Sequence, residues 1–229
     1  MSTEQHDKFA RATSILALLV ALAAIVVPYW QQSSQFEAEQ RENLNVLLNP
    51  TVNGPLKLTG HNYGEMGKVI QMPWKLTISN IGNRQLSIIN KRISFGETPD
   101  SQYYTGIDGG IFTQDYRPIE LPIKLEPGES QSYYIYVGAM VPARVYETLY
   151  KLNEGEPVMD RDAMKALGQE GIDIYGNPVK YLDHGNDQFL IEFKSADKSP
   201  TFWVNLFTGG GNRFYGAAAK YSIPPESVL

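Results

Sequence analysis

Trp74-Lys75-Leu76-Thr77-Ile78-Ser79-Asn80-Ile81-Gly82-Asn83 sets apolar side chains at alternate positions and then stops on turn chemistry. Alternation of this kind puts Trp74, Leu76 and Ile78 on one face of an extended strand and Lys75, Thr77 and Ser79 on the other. Asparagine and glycine tolerate positive φ, so Asn80 to Asn83 reads as a turn. Downstream, Leu86 and Ile88 hold one phase and Ile93 and Phe95 the other, and a bulge near Ile89 reconciles them.

The same period recurs outward from this segment. Ile119, Leu121, Ile123 and Leu125 alternate as far as Pro127-Gly128, and Tyr133, Ile135 and Val137 resume beyond it, which predicts a hairpin or a sheet-to-sheet corner. A third pair is predicted from Phe189, Ile191 and Phe193, a break over Ser195 to Pro200, and Phe202, Val204 and Leu206. Leu44 to Leu48 and Leu56 to Leu58 supply the first strands. Roughly eight or nine strands without interleaved helices predict a mainly β chain built as a sandwich. Only one region has helical spacing. From Pro142 to Leu152, Val145, Leu149 and Leu152 recur at three and four residues, with Pro142 at the start. A second short helix is expected from Asp160 to Leu167, with Asp160 or Asp162 as N-cap and Gly168 just past the end. The pair forms a helical insertion near 142–168, read either as a cap on one open end of the sandwich or as a contact surface through Tyr146 and Tyr150.

The segment Trp74 to Asn83, with Leu86-Ser87-Ile88 and Leu125-Glu126-Pro127-Gly128-Glu129-Ser130, resembles the bacterial immunoglobulin-like sandwiches. In those domains a strand ends in an Asn-x-Gly turn and a Leu-x-Pro-Gly-Glu corner recurs. The resemblance covers roughly Leu44 to Gly138. It lacks the inter-sheet disulfide of antibody-type domains, and the insertion and C-terminal third have no aligned counterpart. It implies a spacer, adhesive or partner-binding module more than a catalyst, by analogy of fold.

At the N-terminus, Ala12 to Trp30 reads ATSILALLVALAAIVVPYW, free of charge and ending in Tyr29 and Trp30, which suit the headgroup level. Its length as a helix, at about 1.5 Å per residue, approaches the ~30 Å of a hydrocarbon core. A transmembrane helix over 12–30 inserted in the lipid bilayer is therefore expected. Pro28-Tyr29-Trp30-Gln31-Gln32 offers no small residues for signal cleavage, so the helix is read as an uncleaved anchor. Lys8 and Arg11 flank its start, whereas no basic residue follows until Arg41; the bias predicts a cytoplasmic tail over 1–11 and a domain outside the cytoplasm, periplasmic in a Gram-negative cell. Residues 31–43 read as a polar stalk, and 44–229 as the folded domain.

Composition closes off several chemistries. The chain carries 20 Lys and Arg against 25 Asp and Glu, a net charge of -5, with no basic cluster, so a nucleic-acid partner is not expected. It has no cysteine, which removes disulfides, thiolate metal sites and a cysteine nucleophile. His61 and His184 stand apart from any zinc-site spacing, and Asp183-His184-Gly185-Asn186-Asp187 reads as a solvated turn before it reads as a calcium loop. Asp160 to Glu170 resembles an EF-hand loop but places Met164 and Lys165 where an oxygen ligand and glycine are required. Thr208-Gly209-Gly210-Gly211-Asn212-Arg213 lacks the Gly-Lys-Ser/Thr of a phosphate loop and reads as a flexible hairpin loop. Gly128-Glu129-Ser130-Gln131-Ser132 lacks the last glycine of a nucleophile elbow. No catalytic residue, cofactor or metal ligand is assigned.

Tyrosine is the residue type that stands out, with 14 copies. If Tyr133, Ile135 and Val137 face the core, Tyr134 and Tyr136 face out, and exposed tyrosine is enriched at recognition surfaces. Tyr134, Tyr136, Tyr146 and Tyr150 are the candidate partner contacts. The expected function is a non-catalytic binding or scaffolding protein of the envelope, engaging another protein or a second copy of itself. Two alternatives stand beside it. One is a carbohydrate-active or hydrolytic domain using Glu126, Glu129 or Glu192, with loops at Tyr103 to Phe112 and Thr208 to Phe214 framing a groove. The other is a cytoplasm-facing sensor subunit.

Overall fold

The computed structural model describes residues 41–50, 54–153, 157–193 and 201–219, together with Val20, Leu22, Ala24, Val26, Val27 and Pro28. Those six positions are helical and exposed to solvent. The expected tail, most of the apolar segment, the stalk up to Gln40 and the break from Ser195 to Pro200 lie outside the described residues. Among the described residues no helix is long and apolar enough to cross a membrane.

Trp74, Leu76 and Ile78 do share one buried face, on a strand β3 that runs from Lys68 to Asn80 and is the spine of the larger sheet. On one side β3 pairs along its whole length with β8 (Ser130–Val141). On the other side β1 (Leu44–Pro50) takes its C-terminal half and β2 (Lys57–Asn62) its N-terminal half. Beyond β8 lie β5 (Asp108–Phe112) and β6 (Pro118–Ile119), so the order is β1-β3-β8-β5-β6 with β2 beside β3. The second sheet has the order β12-β11-β4-β7, from β4 (Leu86–Phe95), β7 (Ile123–Leu125), β11 (Thr201–Thr208) and β12 (Arg213–Ala219). All pairings are antiparallel, and the protein is mainly β.

The two sheets face each other across one apolar core. Trp74 and Phe202 meet with ring centroids 5.9 Å apart, among Met72, Leu76, Ile88, Ile93, Val204 and Leu206, all fully buried. The bulge falls where the phase changes: Phe207 pairs with Asn90 and Thr208 with Ile88, leaving Ile89 as the extra residue, exposed to solvent.

Three sequence expectations are corrected by the observed strand pairing. The alternating run from Ile119 to Leu125 is not one strand, because Ile119 pairs in the larger sheet and Ile123 in the smaller, and Pro122 between them has no N–H to donate to a ladder. Phe189 to Phe193 does not pair with Phe202 to Leu206. It forms β10 (Gln188–Phe193), whose partner is β9 (Val179–Gly185), in a separate hairpin. The strands consequently number twelve among the described residues instead of eight or nine.

The helices fall where the spacing places them, α1 over Ala143–Leu152 and α2 over Asp160–Gln169. Val145 and Leu149 of α1 and Ala163 and Leu167 of α2 belong to the same buried core as the sheets, so the pair closes the end of the sandwich where β8 finishes. The helix-start reading needs amending: Met159, not Asp160 or Asp162, precedes the first turn, and Gly168 lies within α2. Gly168 sits there because the hairpin rests on it; a β-carbon would come within 2.8 Å of Tyr181 Cδ2 and 3.3 Å of Ile191 Cδ1.

Candidate contact surface

The domain has two dissimilar poles, roughly 40 Å apart along the 13 residues of β3. At the proximal pole the chain enters through Arg41 to Asn43. Buried Asn80 organises this end. Its Nδ2 donates to Arg84 O at 2.8 Å and Leu125 O at 3.0 Å, and its Oδ1 accepts from Gly82 N at 3.0 Å. Its backbone N–H donates to Glu129 O, and its carbonyl accepts from Gly128 N. The Asn-x-Gly turn and the Pro-Gly corner, 45 residues apart, are thus one hydrogen-bonded unit. Every polar atom of the Asn80 side chain finds a partner, as a buried amide requires.

The distal pole is aromatic. Tyr63 and Tyr104 meet edge to face at 5.7 Å, and Tyr63 donates to Thr105 O. On α1, Tyr146 and Tyr150 stand one turn apart and stack at 6.4 Å, with Lys68 Nζ 4.6 Å from the Tyr146 ring. Tyr146 is half-buried and donates to Thr59 O at 3.0 Å, whereas Tyr150 is 64% exposed.

Between the poles, the outer face of the larger sheet carries Tyr134 beside Lys75 and Tyr136 beside Pro73. Tyr134 is partly exposed and stacks on Tyr116, 4.8 Å away and within 9° of parallel. Tyr116 closes the β5–β6 hairpin in the left-handed region, φ 58°, where glycine or asparagine is usual. Burial, with Tyr134 beside it, pushes its phenol up to about 12.

Tyr136 departs from expectation. It lies on the outward face, as alternation requires, yet it is only 1% exposed. A second layer covers it: its hydroxyl donates to Pro55 O at 3.0 Å, Phe112 packs edge-on at 5.1 Å, and Lys57 Nζ sits 3.8 Å from its ring and 3.9 Å from Phe112. Burial raises the Tyr136 phenol and lowers the Lys57 ammonium. Tyr136 is therefore packed inside the fold, whereas the other candidate contacts, Tyr134, Tyr146 and Tyr150, keep exposed surface, as does Tyr116. Tyr116 escaped the sequence reading because its stacking partner is eighteen positions away on another strand.

The carboxylates of the hydrolytic reading are each engaged elsewhere. Glu129 accepts from Glu126 N at 2.8 Å and from Gln131, which hold its carboxyl below the usual range. Glu126 accepts from Gln85, and Glu192 pairs with Lys180 at 3.0 Å. Asp183 to Gly185 end β9, and Asn186 and Asp187 form the β9–β10 turn at positive φ, with the Asp187 carboxylate on Lys165 at 2.6 Å and Arg161 at 3.4 Å. Among the described residues no three histidine, aspartate or glutamate side chains gather as a metal site would need.

The glycine run also reads differently in three dimensions. Gly210 lies against a carboxylate of the protein itself, that of Glu42, and a β-carbon there would collide with Glu42 Oε1 and Arg84 Nη2. Close approach, not flexibility, explains the glycine at 210. Beside it opens a cleft of about 440 Å³ lined by Arg41, Glu42, Asn43, Asn212, Arg213 and Phe214.

Compared with known proteins, the chain matches no family model and no curated sequence.

Proposed function

We propose that this chain is a single-pass membrane protein whose immunoglobulin-like β domain binds a protein partner outside the cytoplasm without catalysing a reaction. The observation that carries the binding reading is the pair of tyrosine stacks, Tyr116 on Tyr134 and Tyr146 on Tyr150. Each stack is partly exposed and anchored by the scaffold, so the rings lose little freedom when a partner covers them. Rigid aromatic side chains that are already in place are what interface hot spots are made of.

The anchor and its direction rest on the sequence: the uncharged run from Ala12 to Trp30, and Lys8 and Arg11 against a flank with no basic residue before Arg41. The immunoglobulin-like reading rests on the two motifs that Asn80 joins and on two antiparallel sheets over one core. With the anchor at the proximal pole, the aromatic pole points away from the bilayer, toward whatever the domain meets.

Crosslinking in intact membranes tests the proposal, using the full chain and the variants Tyr134→Ala, Tyr146→Ala and Tyr150→Ala. A discrete adduct that weakens in these variants is the expected result. Adducts indifferent to all three changes would remove the tyrosines from the interface.

A further inference from the structure

Among the residues described from Arg41 onward, Glu42, near the end of the expected stalk, is the first that is buried, with its side chain 3% exposed, and it bonds to turns of both sheets. Its Oε1 accepts from Arg84 Nη2 at 2.8 Å, in the turn after β3. Its Oε2 accepts from Asn212 Nδ2 at 2.9 Å, in the β11–β12 turn, and from Thr208 Oγ1, at the end of β11. Glu42 lies two residues before β1, and Asn212 lies immediately before β12. These two strands are the edges of their sheets and no ladder joins them. They nevertheless run side by side: a β-carbon on Gly216 of β12 would stand 2.6 Å from Val46 O of β1. The clasp thus pins the start of an unladdered seam between the sheets.

The charges around the clasp are unevenly balanced. Arg84 faces Glu42 from the β3–β4 turn, and Arg41 and Arg213 line the cleft beside it. Arg213 is itself held by Asp100, at 2.6 Å, and Asp100 also lies 3.5 Å from Arg92. A neutral Glu42 would leave Arg84 without its counter-charge and weaken the charged acceptor that Thr208 and Asn212 share.

We propose that the Glu42 clasp is an acid-released latch: protonating this one carboxyl frees the β1–β12 seam at the membrane-proximal end while the rest of the sandwich stays folded. The seam is the natural place to open, because side-chain packing and the clasp hold it in place of backbone hydrogen bonds. Released, β1 and β12 present two strand edges with unpaired N–H and C=O groups at the point where the chain leaves for its anchor.

Hydrogen exchange by mass spectrometry on the full chain, corrected for intrinsic rates, tests the latch across the carboxylate titration range. Below about pH 4.5, β1 and β12 are expected to lose protection about ten-fold more than β3 and β8 do. Glu42→Gln is expected to show that loss at neutral pH with no further pH dependence, and Asp100→Asn to behave as the wild type. If Glu42→Gln fails to fold, Thr208→Val decides the matter; with one donor removed, the opening moves upward by about half a pH unit. Loss of protection in step across all four strands would overturn the latch, as would an opening that Thr208→Val leaves in place or one that follows Asp100.

Discussion

At the scale of single residues, two tyrosines on neighbouring positions of the same face separate contact from packing. Tyr136→Ala empties a fully covered site and strands Lys57 and Phe112, so denaturant unfolding should show a loss of about 3–5 kcal/mol. Tyr134→Ala should cost under about 1 kcal/mol in the same measurement, because its ring is partly in water. Tyr116 offers a sharper contrast, since its left-handed backbone carries strain of about 1–2 kcal/mol that glycine would relieve. In Tyr116→Gly this relief opposes the loss of the stack on Tyr134. Stability should therefore change by less than about 1 kcal/mol, while any partner adduct that depends on the stack is lost. Alternation along β8 made the outward direction of Tyr134 and Tyr136 legible. The cover over Tyr136 was not, because Pro55 and Phe112 are distant in sequence, and 81 residues separate the hydroxyl from its acceptor.

Glu42 is a carboxylate whose ionisation bears directly on the fold. Burial opposes its charge, but the hydrogen bonds from Thr208, Asn212 and Arg84 together with the Arg84 charge outweigh it and keep the carboxyl below its ordinary value of 4.5. A depressed carboxyl contributes stability that is fully present above the unfolded value and is lost as the pH falls through the folded one. Unfolding midpoints measured from about pH 7 down to about pH 3 should thus drop more steeply in the wild type than in Glu42→Gln. Nothing local in the sequence marks Glu42, as its partners lie 42, 166 and 170 residues away.

At the scale of elements, legibility follows how local the determining interactions are. The strand from Trp74, the turn at Asn80 to Gly82, the bulge at Ile89 and the two helices are written in neighbouring residues and appear where spacing puts them. Alternation alone does not choose a strand's partner, and β10 shows it. Its apolar pattern suits the segment that follows as well as the one before, and it pairs with β9 across the turn at Asn186 and Asp187, in a hairpin that rests on α2. The helices close the distal end of the core. Leu149→Ala in α1 should therefore destabilise the whole sandwich by about 2–4 kcal/mol in chemical denaturation, and not merely melt a surface helix. Asn80→Ala, which breaks the joint between the two proximal turns, should cost about 2–4 kcal/mol, because two buried carbonyls lose their donor.

At the scale of the whole molecule, the polarity of the domain gives the account its sense. The proximal pole is a polar clasp around the point where the chain enters, and the distal pole is aromatic. An anchor through Ala12 to Trp30 would turn the second toward a partner and keep the first beside the bilayer. Protease added to spheroplasts should accordingly degrade the domain, which a cytoplasmic location would protect. The central claim is that the tyrosine stacks are a partner surface, and site-specific photo-crosslinking from position 150 in intact cells tests it most directly. One discrete adduct that Tyr134→Ala or Tyr116→Gly weakens is expected; labelling of position 150 that yields no adduct, or a diffuse set unaffected by either change, would exclude a partner on these rings.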